Sequence, residues 1–156
     1  MNRVAAVTEN LRELSGMCDT GFALAVHIRY TRPTLLYQTY AQDWIDFYSE
    51  NGLMLSDPIV HWGLRNNGAV AWDATGEDDP AGVLAHAERF GLRNGMTIAV
   101  GPPSSRTIAG VTRSDRPFSA DEMKRITALV TEIHKIIDGF DNSESESLDA
   151  LRNIAL

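Results

Sequence analysis

The stretch GFALAVHIRYTRPTLLYQ, residues 21–38, decides the fold. Phe22, Leu24, Val26, Ile28 and Tyr30 alternate with Ala23, Ala25, His27 and Arg29, a period of two that sends successive side chains to opposite faces of an extended chain. Thr31-Arg32-Pro33 is turn chemistry, so the chain doubles back into a second strand over 34–38. A similar pair lies downstream. Met96 to Val100 and Arg106 to Arg113 are rich in β-formers and flank the turn Gly101-Pro102-Pro103-Ser104, which reads as a hairpin with a longer loop. Together these strands point to an antiparallel sheet.

Helical periodicity surrounds them. Val4, Val7, Leu11 and Leu14 recur every three or four residues, predicting a helix from Arg3 to Leu14 that stops near Gly16. Thr39 with Gln42 forms a capping-box signal before Tyr40, Trp44 and Tyr48, an aromatic stripe with Phe47 beside it. Asp57-Pro58 and Asp79-Pro80 each read as an N-cap with proline at the first helical position; Gly91 stops the second of these helices, which carries Val83, Leu84, Ala87 and Phe90. Ser119 with Glu122 caps a long helix ending near Gly139, with Met123, Ile126, Val130, Ile133, Ile137 and Phe140 on one face. Strands and helices without regular alternation argue against a doubly wound parallel fold. The expected class is α+β: an α/β/α sandwich whose central antiparallel sheet of about five strands is flanked by helices, in the manner of PAS and GAF sensors.

A chain of 156 residues, 44% hydrophobic, suits one domain with a tail. The charge of -7 and the lack of a basic cluster exclude these residues as a direct contact to phosphates. No apolar run approaches the roughly 18 residues that span a bilayer and the N-terminus is broken by charges, so no membrane association and a cytoplasmic location are expected. Cys18 is the only cysteine, which rules out an internal disulfide. His27, His61, His86 and His134 fall on separate elements without a metal-ligand spacing, so no metal is expected. Ser104-Ser105 lacks the context of a nucleophile, phosphate-cradling loops are absent, and no catalytic residue stands out; an enzyme is not expected. Neither is a cofactor.

What does stand out is Tyr40, Trp44 and Tyr48 at four-residue spacing, then Asp57-Pro58, then Trp72. Singly, the stripe suits plain core and Asp57 an ordinary N-cap; jointly, rings with polar tips and one carboxylate suit an apolar small-molecule pocket with a few convergent polar groups. The segment TYAQDWIDFYSENGLMLSDPIVHWGLRNNGAVAWD, residues 39–73, resembles the signature of the LuxR-type autoinducer-binding domain, and AERFGLRNGMTIAVGPPSSRTIAGVTRSD is similar to that family's later glycine, strand, hairpin and strand. The likeness covers about residues 10–140.

The resemblance implies a receptor for an N-acyl-homoserine lactone. On it, Trp44 donates to the lactone carbonyl, Asp57 accepts from the amide N–H, Tyr40 donates to the amide carbonyl, Trp72 packs on the lactone ring, Tyr48 lines the acyl path and Thr112 supports the amide end. Leu36, Val60, Val83 and Ala87 are further expected lining. Ala41 stands where a proline is common, and Ile45 where some members carry an arginine for a 3-oxo group, which lowers the expectation of a 3-oxo ligand. The resemblance also implies a domain over 1–140, a linker over 141–147 (DNSESES) and, in 148–156, the opening of a helix-turn-helix DNA-binding domain of a longer regulator, with a homodimer as the working state and DNA reached only through that further domain. Two other readings compete: a shortened relative that pairs with a full-length regulator and silences it, and an orphan PAS- or GAF-like sensor or an enzyme on the same scaffold.

Overall fold

The computed structural model describes residues 2–30, 32–138 and 145–156, with the side chains of 145–147 excepted. Eleven elements carry the architecture: α1 (Arg3–Met17), β1 (Phe22–Arg29), β2 (Arg32–Gln38), α2 (Gln42–Glu50), α3 (Pro58–Arg65), β3 (Gly68–Ala71), α4 (Val83–Arg89), β4 (Met96–Val100), β5 (Arg106–Val111), α5 (Ala120–Asp138) and α6 (Ser145–Arg152). The strands form one five-stranded sheet in the order β2-β1-β5-β4-β3, with every neighbouring pair antiparallel. Both expected hairpins are present, and the α+β sandwich is correct. β3 is too short to show alternation, so its position was not legible.

Each face of the sheet has its own layer. Phe22, Leu24, Val26, Leu35, Tyr37, Met96, Ile98, Ala109 and Val111 join Leu11 and Leu14 of α1 and Ile126, Val130 and Ile133 of α5 in the main core. The opposite face carries Ala23, Ala25, Ala99, Ile108 and Gly110, mostly small, and α3 packs across it on β4 and β5. Small residues let α3 approach this face closely, with Gly63 against Ile108, and the second apolar cluster forms from α2, α4 and their loops.

Local departures from the expected pattern have identifiable causes. β1 loses its alternation at a bulge between Ala25 and Ile28, where His27 takes a positive φ of 50°. The bulge turns His27 into the interior, stacked on His134 at 4.0 Å, its Nε2 donating to the His134 carbonyl and its Nδ1 paired with Ser105. Tyr30, expected among the inward apolar residues, is instead fully exposed at the turn. β2 starts at Arg32, two residues before the expected Thr34, because an edge strand tolerates Pro33.

α1 runs through Gly16 to Met17 and the chain turns at Gly21, whose φ is +103°. The Thr39–Gln42 capping box does not form: Thr39 Oγ1 accepts from Phe22 N instead, and α2 starts at Gln42 from an Ala41 N-cap without a side-chain bond. α4 begins at Val83, not at Pro80, although Asp79 still caps it by accepting from Val83 N and Leu84 N at 2.8 and 3.0 Å. The Ser119–Glu122 box is formed in both directions, at 2.9 and 3.1 Å. Gly139, Phe140 and residues 141–144 of the expected linker lie outside the described residues.

α6 begins at Ser145 and returns to the domain, packing on α1 and β2. Leu151 is completely buried in the main core, and the buried Tyr37 hydroxyl donates to the Leu151 carbonyl at 2.9 Å. Among the described residues no helix is long and apolar enough to cross a membrane, and no three His, Cys, Asp or Glu side chains come together.

Candidate ligand-binding site

The site grows from two helix starts that converge over the small-residue face of the sheet. In α2, four-residue spacing brings Trp44 and Tyr48 onto one side, with ring centroids 5.7 Å apart, and Trp44 also meets Phe90 at 5.4 Å. Trp44, Leu53, Val83, Ala87 and Leu92 are buried together, with Tyr40, Phe47, Tyr48, Trp72 and Phe90 packed against them. The structure thus unites Tyr40, Trp44, Tyr48, Trp72, Val83 and Ala87 in one cluster.

Asp57 sits at its edge and has two tasks. It is the N-cap of α3, with Oδ1 accepting from Ile59 N at 2.9 Å, and its Oδ2 accepts from the Tyr48 hydroxyl at 2.7 Å. Burial raises its pKa above the ordinary carboxylate range, opposed by these bonds to Tyr48 and to the first backbone N–H groups of α3. The Tyr48 phenol is pushed far up by burial and then by the Asp57 charge, and the Tyr40 phenol by burial first. Both tyrosines are therefore fixed as neutral hydroxyl donors. Tyr40 donates to the Gly110 carbonyl at 3.0 Å. The Trp44 indole N–H, on a side chain only 5% exposed, has no acceptor among the described residues.

Trp72 lies on a floor made by glycine. Its indole N–H donates to Thr97 at 3.1 Å, and its backbone N–H to the Gly95 carbonyl at 2.9 Å. A Cβ placed on Gly95 would stand 2.1 Å from the Trp72 ring, and one on Gly110 would meet the Tyr40 hydroxyl at 3.2 Å. Gly95→Ala is therefore expected to displace the Trp72 ring, costing about 1–3 kcal/mol of stability by overpacking and changing the tryptophan emission; an unchanged spectrum and unchanged unfolding midpoint would contradict this packing.

The remaining expected lining residues are placed differently. Leu36 is half exposed on β2 and lies outside the cluster. Val60 follows Asp57 on α3 and is half-buried. Thr112 is buried just beyond β5, its hydroxyl donating to the Gly21 carbonyl and accepting from Thr20 Oγ1, so it ties β1 to β5. Sequence reasoning missed Gly95, Gly110, Thr97 and Leu53. The two glycines carry no side chain to pattern, and Thr97 gains meaning only once Trp72 is placed above it.

Comparison with known proteins agrees with the fold. The family model of the autoinducer binding domain matches residues 6–136. The transcriptional activator protein RaiR of Rhizobium etli is 32% identical over 109 residues, covering 64% of this chain and 45% of its own length. The HTH-type quorum-sensing regulator RhlR of Pseudomonas aeruginosa is 26% identical over 125 residues, covering 79% of this chain and 52% of its own. The chain spans about half the length of these curated relatives. Among solved structures, Escherichia coli SdiA is similar in fold, with a TM-score of 0.67 at 20% identity over 90% of this chain and 69% of that one. A second SdiA structure, in complex with octanoyl-rac-glycerol, gives 0.64 at 18% identity over 94% and 68%. With a matched family model over most of its length, this chain belongs to the autoinducer binding domain family of LuxR-type quorum-sensing regulators.

Proposed function

We propose that this domain binds an N-acyl-homoserine lactone between the sheet and α2, α3 and α4, and that binding governs DNA recognition by a helix-turn-helix domain outside this chain. The observation that carries the reading is the arrangement of Trp44, Asp57 and Tyr40 around one apolar cluster. Trp44 brings a donor without a protein acceptor, suited to the lactone carbonyl; Asp57 brings an acceptor, suited to the amide N–H; the Tyr40 hydroxyl, which donates to the Gly110 carbonyl in the free domain, would turn its one proton to the amide carbonyl. Trp72 closes on the ring, Tyr48 holds Asp57 in place beside the acyl path, and Thr112 braces the sheet at the amide end. A homodimer is the proposed working state. The domain acts as a receptor in a family of regulators, without turnover of the ligand.

A ligand that binds only the folded state stabilises it by mass action, about 2.7 kcal/mol at a hundredfold excess over Kd. For a domain of this size the unfolding midpoint should rise by about 5–10 °C with a bound lactone. The ring-opened acyl-homoserine should give no shift, because its new carboxylate is an anion brought near Asp57. Equal shifts from the closed and opened forms, or none from any lactone, would contradict the reading.

A further inference from the structure

His27 and His134 form a stacked pair that ligand binding leaves unused. Their ring centroids are 4.0 Å apart with 23° between the planes, and His27 is only 1% exposed. β1 at its bulge, β5, the turn between β4 and β5 and the second half of α5 all meet there. On the turn side the fit is close: a Cβ placed on Gly101 would stand 2.5 Å from His134 Cε1.

The hydrogen bonds fix where the protons sit. The His134 carbonyl only accepts, so His27 Nε2, at 2.8 Å, carries a proton; in the neutral ring Nδ1 then accepts from the Ser105 hydroxyl at 2.7 Å. Thr107 Oγ1 accepts from the His27 backbone N–H at 3.1 Å, and its own proton goes to His134 Nδ1 at 2.6 Å. With both rings neutral, each of these bonds has one donor and one acceptor. A further proton turns a ring acceptor into a donor aimed at a hydroxyl that already receives another N–H, from Arg29 Nε at Ser105 and from the His27 backbone at Thr107. The charged surroundings do not welcome it either. Arg29 reaches Ser105 and Arg106 donates to the Gly101 carbonyl, against one carboxylate, Asp138, a turn along α5 from His134; from β2 the neutral Thr34 hydroxyl reaches the His27 carbonyl. Burial first, then the His27 ring, hold the His134 pKa below the ordinary imidazole value, with Asp138 opposing.

We propose that the pair is an acid-sensitive latch: with both rings neutral it pins the second half of α5 to the turn between β4 and β5, and protonation on acidification releases it. Neutral His134 favours folding above the ordinary imidazole value, about 6.5, and this stability is lost as pH falls below it toward the lowered folded value. Asp57 does not produce this loss, because its raised pKa acts in the opposite direction. The test is chemical denaturation of the whole chain at about pH 7.5 and about pH 5.5. It compares the wild type, His134→Asn, whose amide oxygen accepts from Thr107 without titrating, and a control carrying His61→Gln and His86→Gln. The wild-type folding constant should fall about tenfold at the lower pH, the effect of one such histidine. The control should match it, and His134→Asn should lose the drop. If His134→Asn does not fold, hydrogen exchange of the wild type decides: acid should lower amide protection in the second half of α5 relative to α1. A flat wild-type folding constant, an undiminished drop in His134→Asn, a drop that vanishes in the control, or protection lost evenly along the chain overturns the latch.

Discussion

Asp57→Ala is expected to weaken binding of the lactone by about 1.5–3 kcal/mol, roughly ten- to a hundredfold, because it removes a charged acceptor from the ligand amide N–H inside a buried cluster. The same change deletes the N-cap of α3, at about 1 kcal/mol of stability. Asp57→Asn separates the two effects: asparagine caps as well as aspartate but carries no charge, so folding should hold while affinity falls. A pH series adds a second signature. Folding raises the Asp57 pKa, so the free domain holds this proton more firmly than the unfolded chain. Stability from this group is present below the ordinary carboxylate value, about 4, and declines as pH rises through the raised folded value. Binding goes the other way, since the amide N–H favours the ionised carboxylate: affinity should climb through that range and level off above it. Calorimetry at stepped pH checks both, and a flat affinity profile would contradict the role given to the carboxylate.

Leu151→Ala is expected to destabilise the domain by about 2–5 kcal/mol, the cost of a large-to-small change in a packed core. Leu151 is fully buried among residues of the main core, and α6 is held on α1 and β2 with the Tyr37 hydroxyl on the Leu151 carbonyl. Leu156→Ala, at a half-exposed position, should stay within about 0.5 kcal/mol. Chemical denaturation of both variants measures the difference, and equal midpoints would mean that α6 does not belong to this core. A segment that reads in sequence as the opening of a further domain is, in the structure, packed on α1 and β2 with Leu151 buried in the main core.

That contrast marks where sequence reasoning reaches and where it stops. Alternation in β1 and the Gly-Pro-Pro turn between β4 and β5 disclosed the sheet, and the four-residue aromatic spacing disclosed the side of α2 that packs into the second apolar cluster, because these patterns are local. The inward turn of His27 depends on a bulge, and a bulge needs the partner strand β5 to exist. The Thr39 side chain, free in sequence to cap α2, is claimed by Phe22 N from the neighbouring strand. Leu148 and Leu151 show helical spacing but not the surface they meet. In the site, Tyr40, Trp44, Tyr48, Asp57 and Trp72 were legible as residue types with suitable polar tips, whereas Gly95 under Trp72 and Gly63 against Ile108 act by lacking a side chain, and a missing atom leaves no periodic mark.

The most direct test of the central claim is mass spectrometry of small molecules extracted from this chain after expression in cells supplied with a mixed panel of acyl-homoserine lactones, with Asp57→Ala prepared in parallel. The account predicts a retained lactone in the wild type, in near-equal amount to the protein, and its loss from the variant. Well-folded wild type carrying no lactone, or equal retention by both proteins, would contradict it.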